Sequence, residues 1–407
     1  MFTILPLASR FHAPDLVEAA CAALAAGLAA QGLPTRRVED ASDAQALFLV
    51  TGGTEHLALE AAAQRPDPVL LLAHPAQNSL PAALEVLARL HQIGRQGRLF
   101  LINGTGTAAA DLARTAHHLA VRARMARLRL GLIGTPSDWL VASRPDPARV
   151  TETWGPAVIE VPLADLEAAL RQADPVAAEA LDQGFRQGAT RILEPSAADL
   201  RTAAQVAAAL RSLVAAQRLD ACSVRCFDLV TGLATTGCLG LSDLMDAGIV
   251  AGCEGDLPAA LTMLWVQALT GRLSFMANPQ DLDPAAGTLW LAHCTIARKL
   301  VQTYALRSHF ESALGVGIQG TWAPGPVTLV RIGGEDLRGL YVAEGEAVAC
   351  GSAEDRCRTQ VQVRLQGGLA SLLARPLGNH HILVPGHWAA ELREYHNLFI
   401  DSQPARA

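Results

Sequence analysis

The chain has 407 residues, 50% of them apolar, 18% charged and 4% aromatic. That much apolar sequence supplies the cores of two or three ordinary domains and excludes a disordered chain. Lys and Arg number 33 against 39 Asp and Glu, so the net charge is −6 and no overall basic field attracts nucleic acid.

No apolar run reaches the ~20 residues of a membrane span, so no membrane partner is expected. The opening MFTILPLASRFHAPD has no basic residues ahead of its apolar stretch and no small-residue cleavage site; it reads as a first strand. The 8 cysteines form no CxxC pair, and a chain of this size needs no disulfide framework. They read as small buried hydrophobes, and the cytoplasm is the expected location.

Short apolar runs at 2–9, 46–53, 68–75, 98–104 and 128–134 alternate with helical stretches such as 15–32 and 79–94. Strands that are apolar throughout and alternate with helices predict a parallel sheet covered on both faces. A Pro- and Trp-containing loop at 136–156 separates this region from a second α/β region. There the helices 197–217 and 256–271 alternate with strands at 221–230, 272–279 and 287–295. Beyond about residue 320, the runs 326–334, 339–350 and 359–368 alternate in steps of two with Gly between them, which predicts antiparallel β structure. A helix at 387–399 closes the chain. The expected fold is therefore two Rossmann-like parallel-sheet α/β domains, 1–142 and 143–310, followed by a C-terminal antiparallel β domain, 311–407.

Asn103-Gly104-Thr105-Gly106 imitates a dinucleotide-binding turn. The required acidic residue is missing from 121–131, VRARMARLRLG, so a nicotinamide site is not expected. A denser constellation lies in CEGDLPAALT. Glu254 sits between an apolar run and a helix, where a carboxylate faces a strand end, and Asp256 can cap that helix or share the chemistry. If Asp256 only caps, Asp256→Asn costs on the order of 1 kcal/mol or less, because Asn also caps well. His293 lies in an apolar strand, and His380 and His381 lie at the edge of the last β run. Mixed oxygen and nitrogen donors suit Mn2+, Mg2+, Co2+ or Zn2+. His74, Asn78 and Ser79, in a loop after a strand, are candidates for sugar hydroxyls or for simple loop capping. Arg225 is a candidate for a substrate oxygen or an ion pair.

The run 233–279 resembles the second domain of the L-fucose and L-arabinose isomerase superfamily, through Glu254, Asp256, Leu269-Thr270-Gly271 and FMAN at 275–278. LAHC (291–294) and GNHH (378–381) resemble the elements that supply metal-ligating histidines there. HPAQNSLPAALE (74–85) and SDWLVAS (137–143) resemble the fucose-isomerase-related branch. The resemblance implies a fucose isomerase-like fold and a homo-oligomer with active sites at subunit contacts. It implies an aldose–ketose isomerase working through an enediolate with a divalent metal, foremost Mn2+. Glu254 is then ligand and proton shuttle, with Asn278, His381 and His293 as further ligands, His381 the firmer. His74, Asn78, Ser79, Arg225 and His380 are placed around the sugar. Asn278 stands where the superfamily carries an acidic ligand, and an amide oxygen can ligate a cation but cannot act as a base. This departure keeps open an epimerase or lyase on a sugar derivative and a non-catalytic sugar-binding relative.

Overall fold

The computed structural model describes residues 1–103 and 107–401. It forms two compact units, one of Met1–Arg122 with Tyr395–Ala407 and one of Ala123–Glu394. The glycine-rich imitation at 103–106 lies largely outside the described residues.

In the first unit β1 (Phe2–Leu7), β2 (Thr35–Arg37), β3 (Ala46–Leu49), β4 (Val69–Ala73) and β5 (Gly97–Leu101) form a parallel sheet in the order β2-β1-β3-β4-β5. Side chains alternate between its faces. Leu47, Leu49 and Leu71 enter a core with Val86, whereas Phe48, Leu70 and Leu72 enter another with Leu28. The helices Ser79–Gln92 and Pro14–Ala30 supply those partners, so β3 and β4 are buried along their whole length.

The second unit begins with β6 (Arg129–Ile133), β7 (Ala157–Val161), the short β8 (Arg191–Ile192), β9 (Ala221–Val224) and β10 (Val250–Cys253). Its parallel sheet has the order β10-β9-β6-β7, so β6 pairs with strands far ahead of it in the chain rather than with the first sheet. The expected strand 221–230 stops at Val224, and a helix runs over Phe227–Leu233.

β11 (Phe275–Asp283) and β12 (Thr288–His293) belong to neither parallel sheet. They close an antiparallel barrel, in the order β11-β12-β17-β16-β15-β18, with β15 (Gly325–Gly333), β16 (Gly339–Gly351), β17 (Thr359–Leu365) and β18 (His381–Pro385). Between them in the chain, β13 (Thr303–Arg307) pairs with both β14 (Gly317–Thr321) and β8 in a small sheet. Apolar content marks β11 and β12 as buried strands, but the identity of their neighbours depends on long-range pairing that composition does not carry. Leu289, Leu291, Leu329, Val361 and Leu383 fill the barrel side of one core. No helix among the described residues is long and apolar enough to cross a membrane.

Candidate active site

The turn from β10 into the helix Leu257–Thr270 builds one wall of the site. Glu254 and Gly255 both take left-handed backbone, with φ of 63° and 68°. A side chain at Gly255 would meet Thr135 O at 2.6 Å, so glycine lets the 135–136 segment pass. Holding a non-glycine residue at positive φ costs about 1–3 kcal/mol, which the surrounding contacts must offset. Those contacts are specific. Glu254 accepts a 2.7 Å hydrogen bond from Trp139 Nε1 on Oε2, and its backbone oxygen accepts from the Ser137 amide at 2.8 Å. Arg225 steadies the same loop, donating to Pro136 O at 2.7 Å and pairing with Asp138 and Asp228. It is an ion-pair buttress behind Glu254.

Two imidazoles converge on this carboxylate. His293 ends β12, and His380 immediately precedes β18; their rings meet edge to face with centroids 5.5 Å apart. His380 Nε2 lies 3.4 Å from Glu254 Oε1, beyond the usual range of a good hydrogen bond. One ligand atom from each of Glu254, His293 and His380 lies within 4.8 Å of the others, a grouping able to hold a metal ion.

Asp256 stands behind this group. It caps the helix, accepting from the Ala259 amide at 2.8 Å, and receives His380 Nδ1 at 2.9 Å and Arg331 Nη1 at 3.0 Å. Asp256 and Arg331 are fully buried together, and Arg331 also donates to His380 O at 2.8 Å and to Ser143 Oγ at 2.7 Å. The cap foreseen from sequence is real, but the carboxylate also orients a histidine and neutralises a buried arginine.

The charges follow from these contacts. Burial would raise the Asp256 pKa; the Arg331 charge and His380 outweigh it and bring it down to about 2. Burial also pushes the Glu254 carboxyl upward, but His380 and the Trp139 hydrogen bond hold it below its ordinary value. Burial opposes a charged His380, yet Asp256 and Glu254 raise it to about 9. His293 has no such support, and burial together with the His380 charge takes it down to about 3.

His381 goes elsewhere. Successive strand residues point to opposite faces, so His381 packs edge-on against Tyr341 at 5.4 Å, with Nδ1 3.3 Å from Asn379 O. His380 therefore occupies the place in the cluster that the sequence offered to its neighbour. Asn278, in β11, lines the cavity, and its buried Oδ1 has no hydrogen-bond partner. In the first unit, Ser79 Oγ donates to Leu49 O and accepts from the His74 amide, and His74 Nε2 donates to Val50 O at 2.8 Å. Both side chains are thus engaged in tying strand-end loops together, while Asn78 is exposed with left-handed backbone.

The cavity beside Glu254 has a volume of about 60 Å³, enough for an ion and a few waters and well below the roughly 300–1,000 Å³ of small-molecule sites. Sequence reasoning missed His309, Glu311 and Phe227, which line it, and Trp139, which it quoted only inside a longer run. Cys226, Cys238, Cys253, Cys294 and Cys357 line it too, all as free thiols. Apart from Cys253, which directly precedes Glu254 on β10, spacing carries no signal for these residues, because they come from separate elements of the chain.

The residues present suit a divalent cation. His380 keeps Nδ1 on Asp256, which leaves Nε2 for a ligand, the common arrangement of a metal-binding histidine. His293 Nδ1 accepts from the Thr295 amide at 3.2 Å and lies 2.7 Å from Thr295 Oγ1, so its neutral ring carries the proton on Nε2, the opposite tautomer to His380. The orphaned Asn278 Oδ1 is a further oxygen donor.

Fold and site together define a carboxylate–imidazole centre at a small cavity between a parallel sheet and an antiparallel barrel. Among curated proteins, the chain is similar to the sulfoquinovose isomerase of Alkalicoccus urumqiensis, 25% identical over 284 residues, covering 67% of this chain and 63% of that protein. It is also similar to the sulfoquinovose isomerase of Clostridium sp. (strain MSTE9), 38% identical over 85 residues, covering 21% of this chain and 19% of that protein. The match thus spans less than two thirds of the length of either relative. No protein-family model matches the chain.

Proposed function

We propose that the protein is a metal-dependent aldose–ketose isomerase that shifts a proton between C1 and C2 of a sugar through an enediolate. The observation that carries this reading is the convergence of Glu254, His293 and His380 beside the unpaired Asn278 oxygen, at the wall of one small cavity. Similarity to two sulfoquinovose isomerases supports the same reaction class and makes a sulfonated hexose the first substrate to try. We read the two parallel sheets and the barrel as a fucose isomerase-like arrangement, in which β6 falls before the expected boundary at 142 and β11 and β12 join the barrel from before the expected boundary at 310. A cytoplasmic homo-oligomer, with sites completed at subunit contacts, belongs to the same proposal.

Glu254, His293, His380 and Asn278 would hold the cation, Mn2+ foremost among Mn2+, Mg2+, Co2+ and Zn2+. When bound, it supplies Lewis-acid stabilisation of negative charge developing on the sugar oxygens. Glu254, fixed by the Trp139 hydrogen bond on Oε2, takes the C2 proton and returns it to C1. Asp256 fixes the His380 ring and does not reach the sugar, and Arg225 holds the loop that aims Glu254.

The test is NMR of the Mn2+-supplied protein with a panel of neutral and sulfonated aldoses labelled with deuterium at C2. Interconversion with loss of label supports the reading, and Glu254→Gln should then lower turnover ~10²-fold or more while retaining metal. Carbon-chain cleavage, inversion at a stereocentre, or binding without turnover would each refute it.

A further inference from the structure

Aldose–ketose interconversion moves two protons, one between carbons and one between oxygens. Glu254 accounts for the first, and Asn278, standing where a second carboxylate was expected, has no proton to exchange at neutral pH. The same cavity contains a histidine that the reading above leaves unused.

His309 lies in the loop between β13 and β14, buried but lining the cavity with Glu254, Asn278 and His293. That loop is rigidly built. The His309 amide donates to Leu314 O and its carbonyl accepts from Ala313 N, both at 2.9 Å. Thr236 Oγ1 receives the Val316 amide at 3.0 Å, and Gly315 packs so closely on Thr236 that a side chain would clash at 2.6 Å. An aromatic wall fixes the ring as well. Trp139, hydrogen-bonded to Glu254, meets Phe227 edge to face at 4.8 Å, and Phe227 meets His309 in the same way at 5.5 Å.

Ser312 Oγ accepts from the Leu314 amide at 3.3 Å and lies 3.0 Å from His309 Nδ1, to which its hydroxyl proton can be donated. With Nδ1 accepting, the ring proton sits on Nε2, which has no hydrogen-bond partner among the described residues. Burial, aided by the Arg358 charge, lowers the His309 pKa and keeps the ring neutral.

The geometry points to His309 as the second catalytic residue, the group that passes a proton between O1 and O2 of the sugar. This rests on the isomerase reading. As the C2–H bond breaks toward Glu254 and its electron pair forms the C1=C2 bond, Nε2–H gives its proton to O1. In the second half the O2–H proton returns to Nε2, C2=O forms, and Glu254 protonates C1. Both residues end as they began, and no oxidant or further reactant is consumed. A neutral imidazole acting on a carbonyl oxygen has precedent in other isomerases.

The experiment compares wild type, His309→Gln and His309→Ala on an aldose that the wild type interconverts, with Mn2+ content measured for each. We expect unchanged metal content, kcat lower by ~10²-fold or more with KM within ~3-fold, and partial recovery of His309→Ala by added imidazole. Ser312→Ala, which keeps the ring but removes its Nδ1 partner, should fall between wild type and His309→Gln. An unchanged kcat, a change confined to KM, loss of metal from the His309 variants, or a loss that imidazole leaves untouched overturns the assignment. A wild type that interconverts no aldose refutes the isomerase reading instead, and this inference with it.

Discussion

Asp256→Asn separates a helix cap from a buried electrostatic anchor. Asn caps a helix as well as Asp does, so a residue that only capped would lose almost nothing. Asp256, however, is the buried counter-charge of Arg331, both residues fully inaccessible, and it also holds His380 Nδ1 at 2.9 Å. Removing one partner of such a pair leaves an uncompensated charge and costs about 3–5 kcal/mol. The expected loss is therefore several times the ~1 kcal/mol of the capping argument. Urea unfolding followed by tryptophan fluorescence reads it, since Trp265 lies in the capped helix, packed on Trp154 at 4.9 Å.

The double variant tests the cause. Arg331→Met combined with Asp256→Asn removes the charge that the single change strands, so the pair should lose less than the sum of the two single losses. Metal affinity should also fall by ~10–100-fold in Asp256→Asn, because His380 loses the partner that orients it. A single-variant loss below ~1 kcal/mol, or strictly additive losses in the double variant, would refute the reasoning.

His380→Ala should strip the metal, whereas His381→Ala should retain it and lose mainly its packing on Tyr341; elemental analysis of both purified variants decides between them. Arg307 grips Glu194 through hydrogen bonds of 2.8 and 2.9 Å and, despite some burial, lowers its pKa from 4.5 to about 2. A depressed carboxylate pKa contributes stability that is present above the unfolded value and lost as pH falls through the folded one. The melting temperature should therefore carry a step between about pH 4.5 and 2 that Glu194→Gln lacks. Glu194 is partly exposed, so solvent keeps that step small.

Much of the architecture was legible because it is written in local periodicity. Continuous apolar runs between helices gave parallel sheets, and two-residue alternation with intervening Gly gave the barrel. Glu254 stood out as a carboxylate between an apolar strand and a helix, and its left-handed backbone fits a side chain held for a task. What stayed hidden depends on pairing across the chain. Arg331 reads as one charge in a barrel strand, and only the register that sets Val330 opposite Ile382 carries it to Asp256. Choosing between His380 and His381 required knowing where β18 begins, because a shift of one residue exchanges their faces. His309 has no periodic or capping signature at all, and its loop acquires meaning only once Phe227 and Ser312 are beside it.

Asn278 was the most informative departure in the sequence, and the structure turns it into a statement about charge. The groups able to hold a metal ion are one carboxylate and two imidazoles, and Asn278 adds a neutral oxygen at the same cavity where a second acid was expected. Such a centre is less negative and richer in nitrogen, which weakens its hold on Mg2+ relative to cations that take imidazole more readily. Asn278→Asp tests this directly. An added negative charge at ligand distance should tighten Mg2+ and Mn2+ by ~10-fold or more, since a unit charge ~4 Å away is worth about 4 kcal/mol near a protein surface before its own desolvation is subtracted. The metal-free protein should lose stability, because the new carboxylate is partly buried among groups that already include Glu254. Competition with a fluorescent chelator measures the affinities, and unchanged or weaker Mg2+ binding in the variant would place Asn278 outside the coordination sphere.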